Sequence, residues 1–209
     1  LNTSDVNRNI GLAWLNPYFT LDGVSFGVDA FYRTTDAEDA NVSDYTLDEL
    51  GAGFSFGIPV SEFNSISLGI TGQNTKFKPG ALASAEVLAF QRQFGNTFNT
   101  ITVNGRWAND TRNSRLLPNR GTLTSVDAEI AVPGLDLSYY KLTGRHQRFF
   151  PLYREITMMV NGEVGYGDGI GGTGALPLIE NFYAGGIRSI RGFDTNTLGP
   201  RDSLGEPLG

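Results

Sequence analysis

From Leu50 to Ile58 the chain alternates without a break. Leu50, Ala52, Phe54, Phe56 and Ile58 are apolar, and Gly51, Gly53, Ser55 and Gly57 between them are small. A period of two sends successive side chains to opposite faces of a β-strand, so this stretch predicts a strand with one apolar face and one small, polar face. The pattern recurs along the chain. Ile66, Leu68 and Ile70 alternate with Ser67, Gly69 and Thr71; Val24, Phe26, Val28, Ala30 and Tyr32 alternate with Ser25, Gly27 and Asp29. Ile101, Val103 and Trp107 oppose Thr102, Asn104 and Arg106; Val126, Ala128, Ile130 and Val132 oppose Ser125, Asp127 and Glu129; Ile156, Met158, Val160, Val164 and Tyr166 oppose Thr157, Asn161 and Glu163. The segments Ile10 to Tyr18 and Tyr139 to Phe149 alternate less cleanly. About eight strands result, each near the ~9–11 residues that cross a bilayer at a tilt.

The polarity of the two faces separates a soluble barrel from a membrane one. A soluble barrel turns its apolar face into a small interior and shows a charged face to water. Here the second face is mostly Gly, Ser and Thr with isolated acids, which suits a wide polar lumen with the apolar face outward. Lysine, the usual guard of exposed strand edges, occurs only at Lys76, Lys78 and Lys141. Aromatics near segment ends (Trp14, Tyr18, Phe19, Phe31, Tyr32, Phe63, Trp107, Tyr139, Phe149, Phe150, Tyr153 and Tyr166) are placed to form interfacial girdles. The fold class expected is all-β: an antiparallel transmembrane β-barrel segment.

The connections differ in length. Residues 59–64, 133–136 and 151–154 read as tight turns built on Pro, Gly and Asn. Residues 33–48, 76–97 and 108–120 read as long polar loops, and the segment from Asp168 onward is the longest. Short turns at one end and long loops at the other are the arrangement of outer-membrane barrels. The chain divides into strands over residues 1–167 and a long loop segment over residues 168–209. It opens mid-pattern, without an initiator Met or a signal peptide, and reads as part of something longer.

Candidate chemistry is sparse. A net charge of -6 and a pI near 4.8 argue against a nucleic-acid footprint, which needs a basic patch. The absence of cysteine excludes disulfide and thiolate–metal frameworks. His146 is the only histidine, so neither a histidine-based triad nor a multi-histidine metal site assembles from this sequence. Asp127 and Glu129 share a face and invite an acid–base reading, but lumen acids paired with arginines account for them more simply. The run from Gly165 to Gly174 lacks the Gly-Lys-Ser/Thr ending of a phosphate loop and reads as a strand end breaking into a close-packed loop. No cofactor and no catalytic residue are expected. Arg191 remains: an arginine folded into a lumen needs a carboxylate, and its planar fork accepts one through two parallel hydrogen bonds. Asp127, Glu129 and Glu163 are the lumen acids available to it within this sequence.

Several blocks then fall in order: Asn16-Pro-Tyr-Phe-Thr20 with Asp22-Gly-Val-Ser25, Gly57-Ile-Pro-Val-Ser-Glu-Phe-Asn64, Pro133-Gly134 with Tyr139-Tyr-Lys141, and Gly165-Tyr-Gly-Asp-Gly169. Glu180-Asn-Phe-Tyr-Ala-Gly-Gly186, Ile190-Arg-Gly-Phe193 and Asn196-Thr-Leu-Gly-Pro200 follow. In these residues the chain resembles the outer-membrane insertase family, over essentially its whole length. The resemblance implies a sixteen-stranded barrel, about half of it present here, preceded by periplasmic POTRA domains. It implies a non-enzyme of the bacterial outer membrane that folds and inserts β-barrel precursors. Its partners would be unfolded outer-membrane clients, outer-membrane lipid and lipopolysaccharide, and accessory assembly lipoproteins reached through periplasmic domains, with no nucleic acid. The family's conserved loop motif maps to Ile190, Arg191, Gly192 and Phe193, folded into the lumen and packed on the inner wall. By this resemblance the pattern begins near the family's fourth strand and stops inside the long loop. The rival readings are a two-partner-secretion translocation pore, which carries a related loop, and a small passive membrane β-barrel.

Overall fold

A computed structural model describes residues 2–3, 7–187 and 189–209, with the backbone only at Asn2 and Thr3. The chain forms one antiparallel meander. Its strands are β1 (Asn2–Thr3), β2 (Asn7–Asn16), β3 (Ser25–Asp36), β4 (Tyr45–Pro59), β5 (Asn64–Pro79), β6 (Thr97–Asp110), β7 (Gly121–Ala131), β8 (Tyr139–Tyr153) and β9 (Ile156–Gly169), each paired with the next in chain order. Eight of these are full strands, and β1 is a two-residue pairing on the edge of β2. Register matches apolar to apolar: Phe54 lies opposite Val28 on one side and Ile70 on the other. A slip of one residue would turn this whole face inward, so the alternation itself specifies the pairing. Leu50, Leu68, Val103, Leu142 and Val164 stand exposed on one side, as expected of a face made for hydrocarbon. The other side, the inner face, carries the small and charged residues and is covered in part by the chain after β9.

Because successive strands reverse, the connections after β3, β5, β7 and β9 lie at one end, here the loop end. Those after β2, β4, β6 and β8 lie at the other, the turn end. The expected segregation of loop lengths is incomplete. The segment after β6 is long but sits at the turn end, and the short connection after β7 sits at the loop end. The segment after β6 extends its hairpin rather than floating free. Thr111 N–H donates to Thr122 O at 2.8 Å. Asn113 Oδ1 accepts from the N–H of Asn119 and of Arg120, and Arg112 forks onto Asp110 at 2.8 Å through both Nε and Nη2. The turn expected at residues 151–154 also moves: β8 runs through Pro151 to Tyr153 with an irregularity between them, and the chain reverses at Arg154 and Glu155. A bulge is one of the few strand sites where proline's missing donor costs little.

Residues 76–97, expected as a polar loop, contain the helix α1 (Ala85–Phe94). Ser84 caps it by accepting the Val87 N–H at 3.4 Å, and Gly95, at φ 78°, ends it. Val87, Phe90 and Phe94 share one helix face, at spacings of three and four. That face covers Phe77 and Phe98, with the Phe90 ring 5.0 Å from Phe77 and 5.9 Å from Phe98. The strands here are longer than a bilayer crossing requires; β5 has 16 residues. Their surplus changes polarity: on β4 the inner face passes from Gly53 and Gly51 to Leu47 and Tyr45, both buried. The buried apolar core therefore sits at the loop end, on the inner face, under α1.

The aromatic girdle is confirmed in part. Trp14, Phe19, Phe26, Phe54 and Phe56 form a chain of ring contacts on the outer face at the turn end, with centroids 5.0 to 6.5 Å apart. Phe31, Tyr139 and Phe149, expected in the girdle, lie on the inner face instead. Phe31 lies over the bare backbone of Gly51, and the Tyr139 hydroxyl donates to Glu129 at 2.9 Å.

Candidate functional site

The inner wall is made by residues of β3 to β9 that pair across the sheet. Arg33 on β3 bonds Glu49 on β4 at 2.7 Å, and Arg106 on β6 faces Asp127 on β7 at 3.2 Å. Arg145 on β8 forks onto Glu163 on β9, both bonds 3.1 Å. Antiparallel register produces these pairs: residues opposite one another, such as Arg145 and Glu163, share a face at short range.

Onto this wall folds the segment after β9. Three glycines of β9 receive it. A methyl group at Gly165 would meet the Phe182 ring at 2.7 Å, and one at Gly169 would meet Gly174 O at 2.3 Å. A methyl group at Gly167 would meet Tyr140 O at 2.9 Å and the Leu176 side chain at 3.2 Å. The stripe of missing side chains is thus the groove in which the segment lies. Lys141 on β8 bonds Glu180 at 3.0 Å, and its ammonium stands 5.2 Å from the centre of the Phe182 ring. Burial pushes the Glu180 carboxyl above the usual carboxylate range, against the opposing pull of Lys141.

The far part of the segment is tied to the loop-end core. Asn41 Nδ2 donates to Thr195 O at 3.2 Å and Asn196 Nδ2 to Ala40 O at 3.0 Å, a reciprocal pair of clasps. Ser43 Oγ donates to buried Asp202 at 2.8 Å. Burial alone would raise the Asp202 carboxyl, but the Ser43 hydroxyl and the N–H groups of Glu206 and Leu204 outweigh it and hold it below the usual range. At the start of α1, Ala85 N–H donates to Ser203 Oγ at 3.1 Å, and Ser203 Oγ donates to Glu86 at 2.8 Å. Asn181 Nδ2 donates to Leu208 O at 2.8 Å, closing the segment on itself.

Between these anchors Ile187 and residues 189–193 form a tip. Gly186 N–H bonds Phe193 O at 3.0 Å across its base, and Gly192 turns it at φ 93°. Ile187, Ile190, Arg191 and Phe193 are exposed. A cavity of about 500 Å³ separates the tip from β9, lined by Asn161, Glu163, Gly165, Phe182, Ser189 and Ile190. The structure does not bring Arg191 to its expected partners. Asp127 is engaged by Arg106, Glu129 by Tyr139 and Glu163 by Arg145, and among the described residues Arg191 forms no ion pair. Cross-strand arginines reach these acids at fixed register, whereas the tip would have to bend away from its own anchors.

Sequence reading missed the anchors Lys141, Glu180, Ser43 and Asp202 and the helix that supports them. A signal for the helix was present: Ser84 before a run with Glu86 in its first turn, Arg92 in its last and Gly95 after it. The polar anchors carry no spacing rule: Lys141 and Glu180 are 39 positions apart, and Ser43 and Asp202 are 159 apart.

The arrangement holds a loop on a wall and presents its tip. The comparisons agree with that architecture. The family model described as the Omp85 superfamily domain matches residues 1–209. The chain is 36% identical over 219 residues to the outer membrane protein assembly factor BamA of Neisseria meningitidis serogroup B, covering 98% of this chain and 27% of that protein. It is 25% identical over 207 residues to the factor of the same name from Nitratidesulfovibrio vulgaris, covering 93% of this chain and 24% of the relative. The crystal structure of BamA from Haemophilus ducreyi lacking POTRA domains 1–3 superposes with a TM-score of 0.84 at 25% identity, over 94% of this chain and 40% of that one. The chain thus spans about a quarter of the length of its curated relatives. The sheet is part of a barrel wall, its apolar face is the bilayer face, and its compartment is the bacterial outer membrane. The chain belongs to the Omp85 superfamily.

Proposed function

We propose that residues 1–209 form the central wall and the first part of the conserved loop of an outer-membrane protein insertase, a non-enzyme that folds β-barrel precursors into the membrane. The observation that carries this reading is the 36% identity to an outer membrane protein assembly factor across 98% of the chain. The clients are unfolded outer-membrane proteins. The driving force is their own strand pairing and the burial of their apolar faces in lipid, so no nucleotide, metal or covalent step is required. Outer-membrane lipid and lipopolysaccharide surround the wall, and accessory lipoproteins bind outside these residues.

Within that function the segment after β9 keeps the Arg-Gly-Phe tip in one place. The wall acids within reach are satisfied, so Arg191 takes its carboxylate from strands outside residues 1–209. Ile190 and Phe193 flank that contact, and Gly192 allows the tight turn between them.

The experiment is replacement of the corresponding region in the chromosomal assembly factor of a bacterium that depends on it. Assembly of a resident porin is followed by its heat-modifiable migration on gels. Growth and normal porin assembly are expected. A chimera that reaches the outer membrane, folds, and leaves porins unassembled would overturn the reading.

A further inference from the structure

The bilayer face is not uniformly apolar. At the turn end, β7 and β8 place Thr122 and Thr124 opposite Arg148 and His146, on the face that carries Leu142 and Val126. Thr124 Oγ1 and His146 Nδ1 are 2.8 Å apart, and the Arg148 guanidinium stacks 4.8 Å from the centre of the Phe150 ring. Arg154, in the β8–β9 turn, stands 5.2 Å from the centre of the Tyr153 ring, and Arg120 lies one position before the Gly121–Phe149 pair. Leu116 and Leu117, at the tip of the neighbouring segment, are 92% and 85% exposed.

Charge separates this rim from the β3–β4 connection at the other end. Residues 110–120 and 148–155 hold five arginines against Asp110 and Glu155, in a chain of net charge -6. Residues 36–48, at the loop end, hold five carboxylates and no base. Arg112 is spent on Asp110, with Arg115 at 4.0 Å from the same carboxylate. Among the described residues, Arg120, Arg148 and Arg154 form no ion pair with any acid of the chain.

Guanidinium groups stacked on aromatic rings at the edge of a hydrocarbon-facing surface stand at headgroup depth, with their apolar stems along the wall. Their planar forks match phosphate oxygens. Beside His146, Gly144 and Gly162 leave a concavity of about 420 Å³ bounded by Val126 and Val164, a seat for methylenes. We propose that the rim formed by Arg120, Arg148 and Arg154, with Leu116 and Leu117 dipping beside it, binds the phosphate of anionic glycerophospholipids in the leaflet at the turn end. By the usual arrangement of such barrels this is the periplasmic leaflet, so the occupant is phospholipid and not lipopolysaccharide. The inference rests on the membrane-barrel fold and not on insertase activity.

The test uses the longest natural form of the protein in nanodiscs of phosphatidylethanolamine and phosphatidylglycerol with lipopolysaccharide added, released and weighed by native mass spectrometry. The double variant R148Q/R154Q is compared with K76Q/R92Q, which removes equal charge at the loop end. Phosphatidylglycerol retention is expected to fall about fivefold per rim arginine removed, to be unchanged in the loop-end variant, and to return only in part in R148K/R154K, which keeps the charge but not the planar fork. If the rim variant fails to fold, preference of the wild type for phosphatidylglycerol over phosphatidylcholine, abolished by high salt, decides the question. Equal losses in both doubles, preferential retention of lipopolysaccharide, or unchanged lipid with loss of a bound protein domain would each overturn the proposal. Porin assembly, measured separately, can fail or persist independently of these outcomes.

Discussion

The two parts of the segment after β9 obey different physics. Its flanks lie in a glycine groove, bond Lys141, Asn41, Ser43 and Glu86, and close against a small apolar core. Its tip, Ile187 and residues 189–193, exposes Ile187, Ile190, Arg191 and Phe193. Exposed apolar residues on an otherwise fastened loop indicate a surface made for a partner rather than for water. The contrast teaches that docking and presentation are separate tasks: the flanks supply the stability, and the tip is the part that, in the proposed insertase, is completed from outside.

That contrast can be broken from the side of the flanks first. Phe90→Ala removes the centre of the core under α1 and is expected to cost about 3–5 kcal/mol locally. Hydrogen exchange in residues 84–94 and 200–208 should accelerate together, because Ser203 and α1 are bonded to each other. Independent responses would mean that the helix does not hold the segment. Gly165→Ala forces a methyl into the Phe182 ring and should cost roughly 1–3 kcal/mol of docking. Its reading is protease sensitivity between residues 176 and 186, with strand exchange in β8 unchanged.

Acid should separate the two anchors. Glu180 has a raised carboxyl, so its contribution is fully present below the ordinary glutamate value and is lost as pH rises through the raised one. Asp202 has a depressed carboxyl, so its contribution is present above the ordinary aspartate value and is lost as pH falls through the depressed one. Lowering pH from neutral toward about 4.5 is therefore expected to tighten the Glu180 anchor, and acid below about 4 to loosen the Asp202 anchor. Site-resolved exchange across that range checks both signs, and parallel behaviour of the two sites would refute the assignment.

The smallest effect belongs to the tip. Arg191→Ala is expected to change the stability of residues 1–209 by less than about 0.5 kcal/mol, because nothing among the described residues holds the guanidinium. A larger loss by thermal melting would show that Arg191 finds a carboxylate on this wall after all.

Strand existence, the choice of faces and the meander order follow from local rules, and they were legible at Leu50–Ile58 and Ile66–Ile70 from alternation alone. The glycine stripe of β9 was legible as a place of close backbone approach, though not as the groove for Phe182. Helix α1 had its cap and its stop in the sequence but was hidden among polar residues. The girdle was overcounted because an aromatic near a strand end is the same letter whether it faces lipid, as Trp14 does, or lies inward over a glycine, as Phe31 does.

What the sequence determined by itself is the two-faced sheet, since a period of two is a property of neighbours along one chain. The partners of the charges were decided only by the tertiary structure. Asp127, Glu129 and Glu163 were each open to Arg191 on paper. Register delivered Arg106 and Arg145 to two of them, the Tyr139 hydroxyl took the third, and the anchored flanks kept the tip away. An ion pair depends on which side chain arrives at short range, and that is settled by strand pairing and by where a loop is tied.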